Sequence, residues 1–576
     1  MENMKQLIEC VPNFSEGRNM DVINQIVAEI KATDVNGENV KVLDVDPGEA
    51  TNRTVVTFVG SPDVVVEAAF RGARKAAELI DMRHHHGAHP RSGATDVCPL
   101  IPVAGITLEE CATLARGLAK RMYEELGIAC YCYEAAAFTP ERQNLAVCRE
   151  GEYEALPEKM SDPKRKPDFG PSEFNERVAT AGATNVGARN FLIAVNFNLN
   201  TTSTRRAMAV AFDVREKGRK AREGGKLTGK VLRDANGEEI WIPGTLKGCK
   251  AIGWYIDEYG IAQVSMNITD ITATPLHVAF EEVSRAAAAR GMRVTGAEIV
   301  GLVPKCALID AGKYYLARQQ RSLGITEEEI IRMAVKSMGL DELKPFNPKE
   351  KVIEYMIVDE KEQAEKEHLI RMTCKGFAIE TASESAAPGG GSISAYMGAL
   401  GAALGTMVAN LSAHKRGWDE RWEEFSKVAE EGQEVMNELL ALVDEDTAAF
   451  NKIMDVFAMP KGTEEEKKAR AEAMEAATLY ATQVPLRTMK ASMRAFPVIK
   501  AMAEKGNPAS ASDAGVGALA ARAAVRGADM NVRINAAGLK NRETAERLIA
   551  EAAAMVKEAE QREAEILGFV NANINK

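Results

Sequence analysis

Through residues 5–135 the apolar positions keep two rhythms. Short apolar runs at 7–11, 40–45, 55–59, 98–103 and 128–133 predict strands. Between them, apolar residues at three- and four-residue spacing predict helices over 20–32, 62–80 and 108–126, with Ser61 as N-cap of the second. The order β-α-β-β-α-β with an added helix and strand predicts a ferredoxin-like split sheet. The same order returns downstream, with strands at 190–197, 251–255, 261–266 and 293–302 and helices at 202–214 and 276–290. Two such halves side by side make the crevice between them the expected ligand site.

After Met338 the texture changes. Residues 339–354 hold Pro345, Pro348 and mixed charges, which reads as a boundary. From 362 onward only helical spacing is found, for example Val428, Met436, Leu439, Leu440 and Val443 on one predicted face. The expected architecture is therefore multidomain. Two α/β ferredoxin-like (βαββαβ) subdomains, 1–182 and 183–338, are followed by a linker at 339–361 and an all-α helical bundle at 362–576. Residues 388–413 carry no charge, but their apolar content is mostly Ala and Gly, and Gly398, Gly401 and Gly405 recur at helical spacing. That pattern predicts a buried helix at a helix–helix or subunit interface rather than a membrane span.

Composition narrows the function classes. The chain has 576 residues, 46% hydrophobic and 27% charged, as in soluble multidomain proteins. A formal charge of −11 and a pI near 5.5 argue against nucleic acid as the main partner. No charged start followed by an apolar run appears at Met1, so no secretory signal is expected. The nine cysteines form no C-x-x-C pair and stop at Cys374, which suits free thiols in a reducing cytoplasm.

Four of the seven histidines fall between 84 and 89, in His84-His85-His86-Gly87-Ala88-His89-Pro90-Arg91. His85 and His89 have the spacing of a zinc-binding helix. The glutamate of H-E-x-x-H is missing, however, and Gly87 and Pro90 disfavour a helix, so no metal site is expected. Two readings are left: a solvated loop with incidental histidines, or one catalytic imidazole, best placed at His89. The triplet Asp444-Glu445-Asp446, taken by itself, reads as a solvated acidic helix face.

Longer stretches carry a family resemblance. Ile8-Glu9-Cys10-Val11-Pro12-Asn13-Phe14-Ser15-Glu16-Gly17, Asn52-Arg53-Thr54 and His89-Pro90-Arg91 through Asp96-Val97-Cys98-Pro99 resemble formimidoyltransferases of histidine breakdown. So do Gly151 to Lys159 and Asp168-Phe169-Gly170-Pro171-Ser172. Ala387-Pro388-Gly389-Gly390-Gly391-Ser392, and Asn507-Pro508 followed by Ser512-Asp513, resemble formimidoyltetrahydrofolate cyclodeaminases. The order is kept along nearly the whole chain, as in the bifunctional family that joins the two.

The resemblance implies transfer of a formimino group from N-formimino-L-glutamate to tetrahydrofolate, then ring closure to 5,10-methenyltetrahydrofolate with loss of ammonia. Tetrahydrofolate is then a co-substrate, and no metal is implied. His89 falls on the transferase's acid–base position. Asp446, in Val443-Asp444-x-Asp446-x-x-x-Phe450, falls on the cyclodeaminase's catalytic aspartate. Gly170, Pro171, Ser172, Phe174 and Gly182 fall on the folate-binding loop, with extra residues around 175–180. Asp44, Asp46 and Asp96 are all candidates to orient the imidazole. Arg53 and Arg91 suit either substrate carboxylates or structural ion pairs. Pro388 to Ser392 suits either helix N-terminal amides for a folate carboxylate or close helix packing. The resemblance further implies a cytoplasmic homo-oligomer. The rival readings are a folate enzyme that moves a formyl group and a folate-binding oligomeric scaffold.

Overall fold

A computed structural model describes residues 6–49, 51–87, 90–171, 173–225, 229–358, 366–385 and 387–574; His89 and Ser172 lie outside them. Internal contacts divide the chain into one unit of Met1–Leu308 with Met338–Ile357 and a second of Ile309–Ser337 with Val358–Lys576.

The first unit holds two sheets. The larger, seven-stranded sheet contains β1 (Leu7–Cys10), β2 (Asn13–Phe14), β3 (Lys41–Gly48), β4 (Arg53–Gly60), β5 (Thr95–Ala104), β6 (Ala129–Glu134) and β7 (Ala183–Ala188). β3 pairs with β4, β4 with β1 and β2, and these with β5, all antiparallel; β7 lies between β5 and β6, parallel to both. Helices α1 (Met20–Lys31), α2 (Pro62–Leu79) and α3 (Leu108–Leu126) cover one face, burying Cys10, Phe58, Cys98 and Leu100 against Ile26, Ile30, Ala73 and Ala115. A Thr107–Glu110 capping box starts α3, and Gly127 in the left-handed region ends it. The segment of β7, Ala-Thr-Asn-Val-Gly-Ala, lacks a strand-like alternation. It becomes a strand because two parallel neighbours supply its hydrogen bonds, so the chain leaves this sheet at 188 rather than 182.

The smaller sheet contains β8 (Ile193–Leu199), β9 (Cys249–Ile256), β10 (Ile261–Ile268) and β11 (Val294–Val300), with α4 (Thr204–Val214) and α5 (Leu276–Ala288) in the crossovers. Its order is β9-β10-β8-β11, fully antiparallel. The two long helices that follow, α6 (Lys305–Arg318) and α7 (Glu327–Met338), fall largely within the second unit, although residues to 338 were expected in the α/β half. The expected linker at 339–361 is also corrected. Its part up to 357 docks on the first unit, with Val352 and Ile353 buried; Val303 N donates to Lys351 O (2.9 Å) and Ile353 N to Val303 O (3.1 Å). Proline and mixed charge mark a boundary by composition, but this apolar pair is better buried than solvated.

The second unit is helix-rich: α8 (Gly390–Ala413), α9 (Trp422–Ala458), α10 (Glu464–Lys505), α11 (Ala511–Ala537) and α12 (Arg542–Ile574). On the predicted face of α9, Leu439 and Val443 are buried, and Val428, Met436 and Leu440 are half-buried. α8 is long and apolar enough to cross a membrane, yet most of it is enclosed by the bundle. A Cβ on Gly401 would lie 2.9 Å from Gly517 O, so α8 and α11 meet backbone to backbone. The Gly398, Gly401 and Gly405 face is thus filled inside the bundle, and the exposed apolar residues of α8 are Leu400, Met407 and Leu411.

Candidate active sites

In the first unit the histidine loop is clamped at both ends. Upstream, His85 is buried; its Nε2 donates to Asn52 O (2.8 Å), and its Nδ1 accepts from Arg91 Nε (3.3 Å). That pairing requires the neutral Nε2–H tautomer, and burial pushes the His85 pKa down in agreement. Asn52, itself at φ +47°, accepts from Gly17 N (3.0 Å) and donates to His86 O (3.0 Å). One side chain therefore ties Gly17 to the histidine run. Downstream, Ala183 N donates to Ser92 O (2.9 Å) and Ala94 N to Ala181 O (2.8 Å). Gly182 has φ +70°, and a Cβ there would lie 2.3 Å from Ser92 O. Only glycine meets both demands.

The remaining named residues have definite places. Arg91 is buried, and its guanidinium donates to Glu152 (3.1 Å) and to Glu154 (2.8 and 2.7 Å), two carboxylates of the Gly151–Lys159 stretch. Arg53 donates to Asn13 Oδ1, and burial lowers its pKa to about 10. Asp96 accepts from Ser92 N (3.0 Å) and is paired with Arg149. Asp44 and Asp46 lie on the edge strand β3, where burial, and then the charge of Asp46, raise the Asp44 pKa. Phe169 bridges to Cys130 of β6, carrying Gly170 and Pro171 beside that strand, and Phe174 is exposed.

A cleft of about 740 Å³ lies within this unit, lined by Tyr133, Glu134, Arg149 and Arg189 on one side and Lys250, Asn267 and Asp270 on the other. Pro90, which follows His89 in the chain, also lines it. Arg53, Arg91, Gly170, Pro171, Phe174 and Gly182 do not. Three cations, Arg149, Arg189 and Lys250, share the cleft with three carboxylates, Glu134, Glu152 and Asp270, so it offers partners for both anionic and cationic groups. Sequence reading passed over Arg149, Arg189 and Lys250; the proximity of Arg149 to the Gly151-Glu152-Tyr153 stretch was the available signal.

In the second unit the three carboxylates of the α9 triplet go to three different partners. Asp444, buried, accepts from Leu369 N (2.7 Å) and Ile370 N (3.2 Å). Glu445 accepts from Tyr480 OH (2.8 Å) and Arg487 (2.5 Å). Asp446 faces the N-terminus of α8, where Ser392 Oγ donates to it (3.1 Å) and Thr447 Oγ1 lies 3.3 Å from the same hydroxyl. Gly389 is the N-cap of α8 and has no side chain to cap it, so the Asp446 carboxylate sits at the amide end of the helix. Burial raises the Asp446 pKa, opposed by hydrogen bonds from the Ser392 hydroxyl and backbone N–H. A Cβ on Gly391 would lie 2.1 Å from Asp446 Oδ1. The glycine run and the catalytic-aspartate candidate are thus two halves of one feature. The result is a desolvated carboxylate, as a general base requires.

The geometry agrees with what the chain is similar to. Residues 7–189 match the formiminotransferase domain, N-terminal subdomain; 194–358 match the formiminotransferase domain; and 373–554 match the model described as formiminotransferase-cyclodeaminase. The chain is 41% identical over 569 residues to mouse formimidoyltransferase-cyclodeaminase, covering 99% of each. It belongs to the formimidoyltransferase-cyclodeaminase family. Each half also has separate relatives. Glutamate formimidoyltransferase of Thermoplasma acidophilum is 43% identical over 312 residues, 54% of this chain and 92% of that protein. Methenyltetrahydrofolate cyclohydrolase of Methylorubrum extorquens is 36% identical over 203 residues, 35% of this chain and 98% of that protein. The formimidoyltransferase-cyclodeaminase family models thus cover the histidine loop and cleft in one part and the Asp446 site in another. Among the described residues, no group of three or more His, Cys, Asp or Glu is arranged to hold a metal.

Proposed function

We propose that the protein transfers the formimino group of N-formimino-L-glutamate to N5 of tetrahydrofolate and then cyclises the product to 5,10-methenyltetrahydrofolate, releasing ammonia. The observation that carries this reading is the end-to-end likeness to the bifunctional relatives, each half also having relatives of its own.

In the first step N5 attacks the formimino carbon and the C–N bond to glutamate breaks. His89 takes the proton from N5 and returns it to the departing glutamate nitrogen, a task for one imidazole near neutral pKa. Arg149, Arg189 and Lys250 in the cleft receive the carboxylates of the two substrates, and the Gly170–Gly182 region contributes to holding folate. In the second step N10 attacks the amidinium carbon. Asp446 takes the N10 proton and passes it to the NH₂ group, which leaves as ammonia; its charge also stabilises the cationic carbon. Both steps are proton transfers without need of a metal. The protein works in the cytoplasm as a homo-oligomer, a reading supported by its free thiols and by exposed Leu400, Met407 and Leu411. Each sheet is read as a ferredoxin-like subdomain, supported for the second by its β9-β10-β8-β11 order.

The test is the absorbance of methenyltetrahydrofolate formed from formiminoglutamate and tetrahydrofolate, with formylglutamate assayed alongside. Turnover with the formyl donor alone would favour the formyl-transfer rival. Folate binding without turnover of either donor would favour a scaffold.

A further inference from the structure

A cavity of about 1260 Å³ in the second unit is lined by Glu445 and Thr447, the residues on either side of Asp446. Its floor is one face of α9, where Asn437, Ala441, Asp444, Ala448 and Asn451 recur at three- and four-residue intervals. One wall is the segment Lys366–Ile370; Ser385 and Ala387, just before α8, belong to another part of the lining. Thr447 lines the cavity and also lies 3.3 Å from the Ser392 hydroxyl that donates to Asp446, so the space adjoins the proposed base.

The Lys366–Ile370 wall is not part of a long helix or sheet. It is fixed from α9 by the buried Asp444 carboxylate, which accepts the backbone N–H groups of Leu369 and Ile370. Hydrogen bonds to a carboxylate are stronger than neutral ones, and two of them set both the position and the orientation of this segment of turns. Asp444 therefore has a task separate from that of Asp446 two residues away.

We infer that this cavity is where 5-formiminotetrahydrofolate sits during cyclisation, and that Asp444 is a positioning residue that holds its Lys366–Ile370 wall; the inference rests on the cyclodeaminase reading above. The lining suits a folate. Asn437, Asn451 and Thr447 offer donors and acceptors for a pterin edge, Leu440 and Phe450 offer apolar surface for the rings, and the carboxylates Glu367, Glu380 and Glu445 that also line the space favour the cationic amidinium carbon.

The test uses the full-length protein, with supplied 5-formiminotetrahydrofolate for turnover and 5-formyltetrahydrofolate, which has no ammonia to release, as the binding probe. Asp444→Asn keeps shape but loses charge and one good acceptor. It is expected to raise KM for cyclisation about tenfold and hold kcat within about threefold. Its pH profile should stay where it was, and formimino transfer should be unaffected. Amide exchange across 366–372, read by mass spectrometry, should slow when the probe binds the wild type and speed up about tenfold in unliganded Asp444→Asn. Asn451→Leu, which alters the floor and not the wall, should raise KM and leave exchange in the unliganded wall unchanged. A KM within about twofold of wild type in either variant would overturn the inference, as would a lower kcat at unchanged KM in Asp444→Asn. Absence of cyclisation in the wild type would instead overturn the activity reading, while exchange with the probe still tests the cavity.

Discussion

The surroundings of the two candidate sites are built by opposite means. In the sheet unit the described residues on either side of positions 88 and 89 are held by contacts from residues far away in sequence: Asn52, Glu152, Glu154 and Gly182. In the helical unit Asp444, Glu445 and Asp446 are consecutive on one helix, and the turn of α9 sends each to a different partner. A loop site depends on many distant clamps. A helix site depends on the few groups packed against one turn. The contrast teaches that damage should spread differently in the two halves.

The sharpest break of the comparison is chemical. His89→Ala should lower formimino transfer by about 10²–10⁴ and spare cyclisation of supplied 5-formiminotetrahydrofolate. Asp446→Asn should do the reverse, so that 5-formiminotetrahydrofolate accumulates. A well-folded variant of either kind that loses both half-reactions would show one shared site instead of two.

Next in size is the loop clamp. Gly182→Ala places a Cβ 2.3 Å from Ser92 O at φ +70°. It should cost about 3 kcal/mol or more in the sheet unit and abolish transfer, while cyclisation persists. Thermal unfolding followed with both assays reads this out. In the helical unit Gly391→Ala puts a Cβ 2.1 Å from Asp446 Oδ1, which should displace the carboxylate and slow cyclisation about 10- to 100-fold. Gly390→Ala is its control, because the nearest atom to a Cβ there is Asn531 Nδ2 at 3.6 Å. Equal effects at the two positions would remove the steric argument.

The smallest expected effects come from pH. Glu9 is buried in β1, and burial raises its pKa from 4.5 to about 7 despite the opposing charge of Arg189. A raised carboxyl pKa means the fold prefers the neutral form. Its contribution is present below 4.5 and lost as pH rises through about 7. Glu9→Gln should therefore add on the order of 1–2 kcal/mol at pH 8 and little at pH 4, measured by denaturant unfolding. Asp446 is raised in the same sense by burial. Cyclisation should accordingly fall with decreasing pH above the usual aspartate range, and Asp446→Asn should slightly raise Tm near neutral pH while it removes activity.

Much of the fold was legible. The period-two and period-3.6 patterns located the long elements because each buries one face, as α2 and α3 do against Cys98 and Leu100. The pattern missed β7, whose Thr184 and Asn185 carry no strand signal, because pairing with two parallel neighbours overrode propensity. It read 339–361 as a linker because composition does not reveal where Val352 and Ile353 find a partner surface. At the sites, sequence left the carboxylate-binding and ion-pair readings of Arg91 open; in the fold its guanidinium meets Glu152 and Glu154. No spacing rule connects residue 91 to either of them.

By itself, then, the sequence determined the alternation of strands and helices, the change to an all-helical second part, and the residue types on which the family resemblance rests. These are local properties, written in periodicity and short motifs. Tertiary structure alone decided that His85 is a neutral structural imidazole and that Gly182 and Gly391 mark backbone and carboxylate contacts. It also decided that three adjacent acids face three different partners. Those outcomes depend on which distant groups are brought within about 3 Å, a distance at which hydrogen bonds form and a single methyl group clashes.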